Sequence, residues 1–350
     1  MSNLSRLCLA VVLSLFASVG VAQQQSAQPQ SDVQQQQQRQ ITQPGNNAPV
    51  WRDVRSGQEN YTSIKGRETG VLVQSGGETW RRIRNGPVTF YGGLLVVLIA
   101  AAILGFYYIF GPVKLHDKPT GRLVQRFSRL DQIVHWSVAI SFCVLGLSGL
   151  IMLFGKHVLL PIIGYTLFGW LTALSKNLHN FIAPIFIVSV AAMIVLYVRH
   201  NLPKAYDLKF LLGAFAVMAK GKHIPSGKFN GGEKVWFWGG VVVLSVVVTW
   251  SGLILLFPNF DQTRATMQEA WIWHACAALL YIGISFGHMY LGTIGLEGSY
   301  QAMRTGYVDE TWAKEHHQYW YEEVKASARQ PAGGGAVPAG APHAPVVDRK

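Results

Sequence analysis

The stretch Trp271–Thr293, WIWHACAALLYIGISFGHMYLGT, decides how the rest of the chain is read. It is long enough to cross a bilayer, because about 20 residues at about 1.5 Å rise span the roughly 30 Å apolar core. It contains no Asp, Glu, Lys or Arg, yet it carries His274 and His288. Ionisable side chains in hydrocarbon are rare, and they mark functional sites that face the bundle interior. The two histidines are fourteen positions apart, four helical turns. Both imidazoles therefore point to nearly the same side, roughly 21 Å apart along the axis.

Four further apolar segments of adequate length lie upstream: Val88–Gly111, Gln132–Phe154, Asn177–Val198 and Val235–Phe257. The bilayer offers no partners for backbone groups, so all five are expected to be helices. His135 sits near the start of the second span and His179 near the start of the third. The run Val158–Leu174 is apolar enough to suggest a sixth span. Pro161, Gly164 and the short connection from Phe154 argue instead for an interfacial or re-entrant piece. The histidines decide between the two. With five spans, His135 and His288 share the cytoplasmic side while His179 and His274 share the outer side; six spans would put three histidines on one face. The expected fold class is an all-α integral membrane protein, a bundle of about five transmembrane helices.

Paired imidazoles inside a helix bundle most naturally ligate haem iron from its two faces. The reading is two b-type haems, an outer one on His179 and His274 and an inner one on His135 and His288. A bis-histidine iron has no open position, which suits electron transfer. His200 is the rival ligand for the inner site. His116, His157, His223, His316, His317 and His343 lie outside the spans and read as surface residues. Gly146, Gly149, Gly283 and Gly287 could admit a porphyrin or simply pack helices closely. Trp136, Trp236, Trp271 and Trp273 look like an interfacial aromatic belt. Arg126 and Arg129 read equally as partners of inner-haem propionates or as solvated cytoplasmic charge. Cys8, Cys143 and Cys276 form no cluster and no covalent haem motif, so iron–sulfur chemistry would belong to a partner.

Half the residues are hydrophobic and 14% are charged, which points away from an ordinary soluble domain, and the spans exclude one. The net charge of +12 reflects basic residues flanking the spans rather than a nucleic-acid surface. Residues 1–22 read as a signal peptide, with an uncleaved signal anchor as the alternative. Residues 23–87 read as an exported segment, low in complexity and disordered at first, then a possible contact region. Residues 88–112 form an extra span, 113–325 a four-helix di-haem domain, and 326–350 a disordered tail. Lys and Arg crowd Val113–Leu130 and the connection between the third and fourth spans, whereas Pro258–Ala270 has only Arg264. The positive-inside rule then places the mature N-terminus outside a bacterial inner membrane and the C-terminus in the cytoplasm. Arg81, Arg82 and Arg84 run against that rule.

An ordered set of short motifs adds a family. Ile133-Val134-His135-Trp136, Leu178-His179-Asn180-Phe181, Lys228-Phe229-Asn230-Gly231-Gly232-Glu233-Lys234, Trp273-His274-Ala275, Gly287-His288-Met289-Tyr290 and Trp312-Ala313-Lys314-Glu315-His316-His317 run from about Arg126 to Val324. Together they resemble the gamma, or cytochrome b556, subunit of respiratory formate dehydrogenases. The resemblance implies the same four haem ligands, an exported iron–sulfur beta subunit as donor, and a molybdenum- or tungsten-containing catalytic alpha subunit that oxidises formate. It also implies that this subunit reduces quinone (menaquinone or ubiquinone) beside the inner haem, at Asn230, Gly232 and Glu233. Glu233 departs from the family pattern, which carries Gln there. A cap on the fourth span is the alternative role for Asn230. The cytochrome b subunit of an uptake hydrogenase would share the architecture with another donor. A haem-free anchor or transporter is the reading from a different class.

Overall fold

The computed structural model describes residues 55–56, 76–258 and 260–325. The signal peptide, most of the exported segment and the tail from 326 onward lie outside the described residues. Among the described residues, five helical segments are long and apolar enough to cross a membrane: Gly77–Phe110, Arg129–Val158, Leu160–His200, Gly231–Leu256 and Arg264–Gly295.

The first segment joins α1 (Gly77–Ile83) to α2 (Thr89–Phe110) through a wide π-helical turn, Arg84–Val88, built around Pro87. Proline has no N–H to give the ladder, and the wide turn absorbs that loss. The helical segment thus begins at Gly77, upstream of Val88, so the end of the segment assigned to exported contacts is helical. The arginines that oppose the positive-inside rule are partnered here. Arg81 and Arg82 donate to Glu78, and Arg84 lies 5.3 and 5.1 Å over the rings of Trp80 and Trp271.

After β1 (Leu123–Gln125) come α3 (Arg129–Val158) and α4 (Leu160–Tyr197), the latter ending in a 3₁₀ turn at Val198–His200. Val158–Leu174 does not form a separate re-entrant piece. Gly164 adopts φ +75° and ψ 174°, a conformation almost confined to glycine, and breaks the first turn of α4. Beyond it nothing stops the helix, which runs on to Tyr197. At about 1.5 Å per residue that length exceeds the hydrocarbon thickness, so α4 projects past the apolar core.

Helix α5 (Ala205–Lys220) comes next, its start closed by Asp207 accepting from Lys204 N at 2.6 Å and its end by Gly221 at φ +63°. The fourth span is assembled from α6 (Gly231–Trp236), a π-helical stretch Phe237–Leu244 and α7 (Ser245–Leu256). Helix α8 (Arg264–Tyr290) carries both His274 and His288. The chain closes with α9 (Ser299–Thr305), β2 (Tyr307–Asp309), α10 (Glu310–His316) and α11 (Gln318–Val324). Strand β2 pairs antiparallel with β1, Val124 opposite Val308.

The contacts divide into two compact units. One comprises residues up to Leu95, Ser141–Ile185 and Val246–Leu280; the other comprises Val96–Ile140, Phe186–Ser245 and Tyr281 onward. The first holds His179 and His274. The second holds His135 and His288 together with a cap of short elements, where Val124, Val308, Trp312 and Ala313 are almost wholly buried. Span side chains such as Tyr108, Val188 and Val195 are left facing outward, as hydrocarbon-facing positions should be.

Charges enter the cap in pairs. Glu310, buried, meets Arg122, Lys314 and the Tyr321 hydroxyl. The Tyr321 hydroxyl, then Arg122 and Lys314, hold its carboxyl down at about 2 although burial acts the other way. Lys234 donates to both oxygens of Asp207, at 3.0 and 2.8 Å, with both residues buried. Removing one member of such a pair leaves the other charge uncompensated, typically at about 3–5 kcal/mol. Asp207→Asn should therefore destabilise the protein by about that amount and lower its thermal unfolding midpoint in detergent, whereas an unchanged midpoint would show that water already screens the pair.

Candidate functional site

The four histidines meet two by two, in the combination that spacing predicts. In the first unit the His179 and His274 ring centroids lie 6.0 Å apart with planes at 72°. In the second, His135 and His288 lie 6.2 Å apart at 56°. The ring that meets His288 is His135, not His200, which accepts from Arg199 Nε.

The outer pair is held by one local device used twice. Ser148 Oγ lies 3.1 Å from the Leu145 carbonyl, to which it can donate, and 2.9 Å from His179 Nδ1. Ser251 Oγ likewise donates to Val247 O, while His274 Nδ1 donates to the Val248 carbonyl at 3.0 Å and lies 3.2 Å from Ser251 Oγ. The Val248 carbonyl can only accept, so His274 Nδ1 carries a proton, and in the neutral ring Nε2 keeps its lone pair. A carbonyl or hydroxyl on the distal ring nitrogen is the usual support of a metal-ligating histidine. Beside each serine stands a glycine. A Cβ on Gly149 would touch His179 Cε1 at 3.5 Å, and one on Gly252 would press on His274 Cε1 at 3.1 Å. Both are cradles that a larger side chain would close.

The inner pair is held by packing. His135 Nδ1 is buried without a hydrogen-bond partner among the described residues. Trp236 stacks on His288 at 4.9 Å and 12°, and its other neighbour is Tyr281. Trp236 thus packs on a paired histidine at the start of its span. Gly287, next to His288, has open space where its Cβ would stand.

A metal between two imidazoles, each bonded at about 2.0–2.1 Å with the ring centre about 1.2 Å farther, sets centroids about 6.4 Å apart when collinear. The observed 6.0 and 6.2 Å fit one iron per pair. Paired imidazoles with glycine-lined flanks are the donor set a bis-histidine haem requires.

Trp236 also brings the Asn230–Glu233 motif toward His288, since that motif starts the same helix. Asn230 caps it: its Oδ1 accepts from Glu233 N at 3.0 Å, and Glu233 Oε2 accepts from Asn230 N at 2.8 Å. Glu233 Oε1 takes Arg126 Nη2 at 2.9 Å. Both carboxylate oxygens are thus in use. Arg126 is buried, donates also to Lys228 O, and lies 4.9 Å over the Trp312 ring. It is not solvated charge.

His317 is not a surface residue either. It is 1% exposed, its Nδ1 donates to the Gly227 carbonyl at 2.7 Å, and its Nε2 stands 4.0 Å from Glu233. Burial, then the Arg126 charge, pushes its pKa down to about 3. These partners are far apart in sequence and left no local signal. The serine–glycine support did leave one: Ser148–Phe154 reads SGLIMLF and Ser251–Phe257 reads SGLILLF, a near-repeat in the second and fourth spans.

Comparison with known proteins gives the same picture. A nitrate-inducible formate dehydrogenase cytochrome b556(Fdn) subunit of Escherichia coli K12 is 30% identical over 220 residues, covering 60% of this chain and 95% of the relative. The E. coli K12 formate dehydrogenase cytochrome b556(fdo) subunit is 28% identical over 217 residues, 60% and 97% of the two chains. A formate dehydrogenase cytochrome b556 subunit of Haemophilus influenzae is 26% identical over 204 residues, 55% and 79%. The profile of the family described as prokaryotic cytochrome b561 matches residues 126–306, which include all four paired histidines. With its apolar helices, its imidazole pairs and that match over half its length, this chain belongs to the prokaryotic cytochrome b561 family of membrane cytochromes.

Proposed function

We propose that this chain is the membrane electron-transfer subunit of a formate dehydrogenase complex in a bacterial inner membrane. It takes electrons from an exported iron–sulfur subunit, itself fed by a molybdenum- or tungsten-containing catalytic subunit, and delivers them to quinone on the cytoplasmic side. The observation that carries the reading is the pair of imidazole couples, His179 with His274 and His135 with His288, of which α8 supplies one member each. When bound, a haem b at each couple supplies a one-electron iron centre with no open coordination position. Formate as the electron source is supported by the names of the relatives.

The chain's own residues have three tasks in this scheme. Ser148, Ser251 and the Val248 carbonyl hold the outer rings by their Nδ1 atoms. Trp236 fixes the plane of His288. Asn230, Gly232 and Glu233 form the helix start beside that ring, where we place quinone. Because both Glu233 oxygens are engaged, its part is to hold Arg126 and the helix start, and contact with quinone falls to the Asn230 and Gly232 side. The topology conserves energy. Formate oxidation outside yields carbon dioxide, a proton and two electrons, and quinone reduction inside consumes two electrons and two protons. Charge crosses as electrons alone.

A reduced-minus-oxidised spectrum with haem quantitation on detergent-purified protein tests the ligands. Two b haems are expected, with His135→Ala or His288→Ala removing one and His179→Ala or His274→Ala the other; haem insensitive to all four changes would end the cytochrome assignment at these residues. Nickel co-purifying in place of molybdenum or tungsten would move the donor to a hydrogenase.

The glycine cradles differ in tightness, and the difference is measurable. Gly252→Ala should displace the His274 ring by a few tenths of an ångström and shift the outer haem's midpoint potential, while Gly149→Ala, at ordinary van der Waals distance, should not. Equal behaviour of the two variants would refute the cradle.

Gly232→Val adds bulk at the helix start, where the nearest atoms are Asn230 Oδ1 at 3.3 Å and Phe210 Cε1 at 3.6 Å. It should slow haem reoxidation by quinone about tenfold or more, a barrier increase of about 1.4 kcal/mol. The dithionite-reduced spectrum should stay intact. Unchanged reoxidation kinetics would place quinone elsewhere.

A further inference from the structure

The family motif ending in Glu315-His316-His317 contains groups that electron transfer does not use. In the second unit, three segments distant in sequence bring His116, His223 and Glu315 together, with one ligand atom from each within 4.8 Å of the others. His116 comes from the connection after α2. His223 comes from the turn after α5, which Gly221 ends in the left-handed conformation; a Cβ there would lie 3.5 Å from His116 Cε1. Glu315 is in the last turn of α10.

The hydrogen bonds around the cluster orient ligand atoms inward. His223 Nδ1 lies 3.0 Å from the Glu315 backbone carbonyl, which can only accept, so that nitrogen carries a proton and Nε2 is the atom turned toward the cluster. The Glu315 carboxylate is steered from behind by backbone N–H groups. His116 N donates to both oxygens, at 3.1 and 3.0 Å, and Asp117 N donates to Oε1 at 2.9 Å. Glu315 Oε2 then lies 3.3 Å from His223 Nε2 and 3.7 Å from His116 Nδ1, and the two ring nitrogens are in direct contact with each other. Tetrahedral ligands bonded at 2.0–2.2 Å stand about 3.3–3.5 Å apart. Two of the three edges are near that length already, and the imidazole contact need only open to match. Carbonyl-anchored imidazole and amide-anchored carboxylate are the supports that orient metal ligands.

We propose that His116, His223 and Glu315 form a binding site for a divalent transition-metal cation of the zinc type. Two imidazoles and one carboxylate select a borderline cation over calcium or magnesium, which prefer all-oxygen sites. His116 is more than half exposed, so a fourth position faces solvent and takes water. The cation ties the connection after α2, the turn after α5 and α10 into one clamp. That clamp fastens the closing helices over the segment that carries Arg126 and Glu233. The site is independent of the haem and quinone assignments.

The test uses full-length, tag-free protein in detergent with its haem in place, stripped with EDTA and then titrated with zinc chloride. Zinc is counted by mass spectrometry after gel filtration, and its ligands are read by X-ray absorption at the zinc edge. We expect about one zinc per chain with a sub-micromolar dissociation constant, imidazole scattering from two rings, and a zinc-dependent rise in the thermal midpoint. His116→Gln and His223→Gln should each weaken binding about a hundredfold with haem content unchanged. If His223→Gln fails to fold, the exposed His116→Gln alone decides. Zinc binding equal in wild type and His116→Gln, or no zinc retained by wild type, would overturn the site and leave a hydrogen-bonded cluster bridged by a His116 proton.

Discussion

An imidazole in hydrocarbon is costly when a ring nitrogen has no partner, and this constraint organises the first unit. A ring N–H or lone pair left bare costs several kcal/mol where no water can reach it. In the first unit each histidine Nδ1 meets a serine hydroxyl of the neighbouring span, and His274 Nδ1 also donates to the Val248 carbonyl. In His274 the proton is thereby placed on one side of the ring and the lone pair on the other. Serine hydroxyls bonded to the preceding turn normally weaken a helix slightly. Here that local cost gives the ring a hydrogen-bond partner and an orientation. The adjoining glycine leaves the ring its room, and one serine–glycine step thus sets both the hydrogen bonding and the sterics of each outer histidine.

The near-repeat SGLIMLF and SGLILLF places this device in the second and fourth spans, and each copy serves the histidine of the next span along the chain. The inner pair is supported differently, by the face of Trp236 against His288. The contrast has its cause in the surroundings. Next to the inner pair the chain leaves the apolar segments and enters the cap, where polar partners abound and a tryptophan can exclude them from the ring. An indole with its own N–H directed to the Asn201 carbonyl, as in neighbouring Trp238, shows how aromatic side chains at this level satisfy their polar edge and keep the ring for packing.

What could be read from residues alone obeys the same physics. Hydropathy and helical rise fix the spans because the bilayer permits one backbone solution, and the His274–His288 spacing fixes the pairing because only a five-span path makes two couples. The errors fall where the answer depends on partners distant along the chain. Gly164 and Pro161 mark a break, but the residues beyond that break decide whether a helix resumes, and from Tyr165 it runs on to Tyr197 through Pro184, which a helix in lipid tolerates. His317 reads as a surface residue, and Arg126 equally as a propionate partner or solvated charge, because composition cannot show that Gly227 and Glu233 await them. The serine–glycine repeat is legible as text but carries meaning only once the histidines are known to face it.

Buried charge in the cap makes the last link between sequence and site. Arg126 meets Glu233 across 107 residues, Arg122 meets Glu310 across 188, and Lys234 meets Asp207 across 27. Such pairs add little net stability, because desolvation offsets most of the attraction. Their effect is positional, since a buried guanidinium tolerates one arrangement of its carboxylate and penalises the others. Glu233 and Lys234 are successive residues in the first turn of α6, and they are held from two sides by elements that no local interaction would bring there. The orientation of that turn sets where Trp236 lies, and Trp236 sets the plane of His288. The cap is thus more than a cover on the inner end of the spans. It fixes, through two ion pairs, the helix start at which we propose that electrons leave the protein, and the Glu233 carboxylate strengthens that hold by giving Arg126 a full counter-charge.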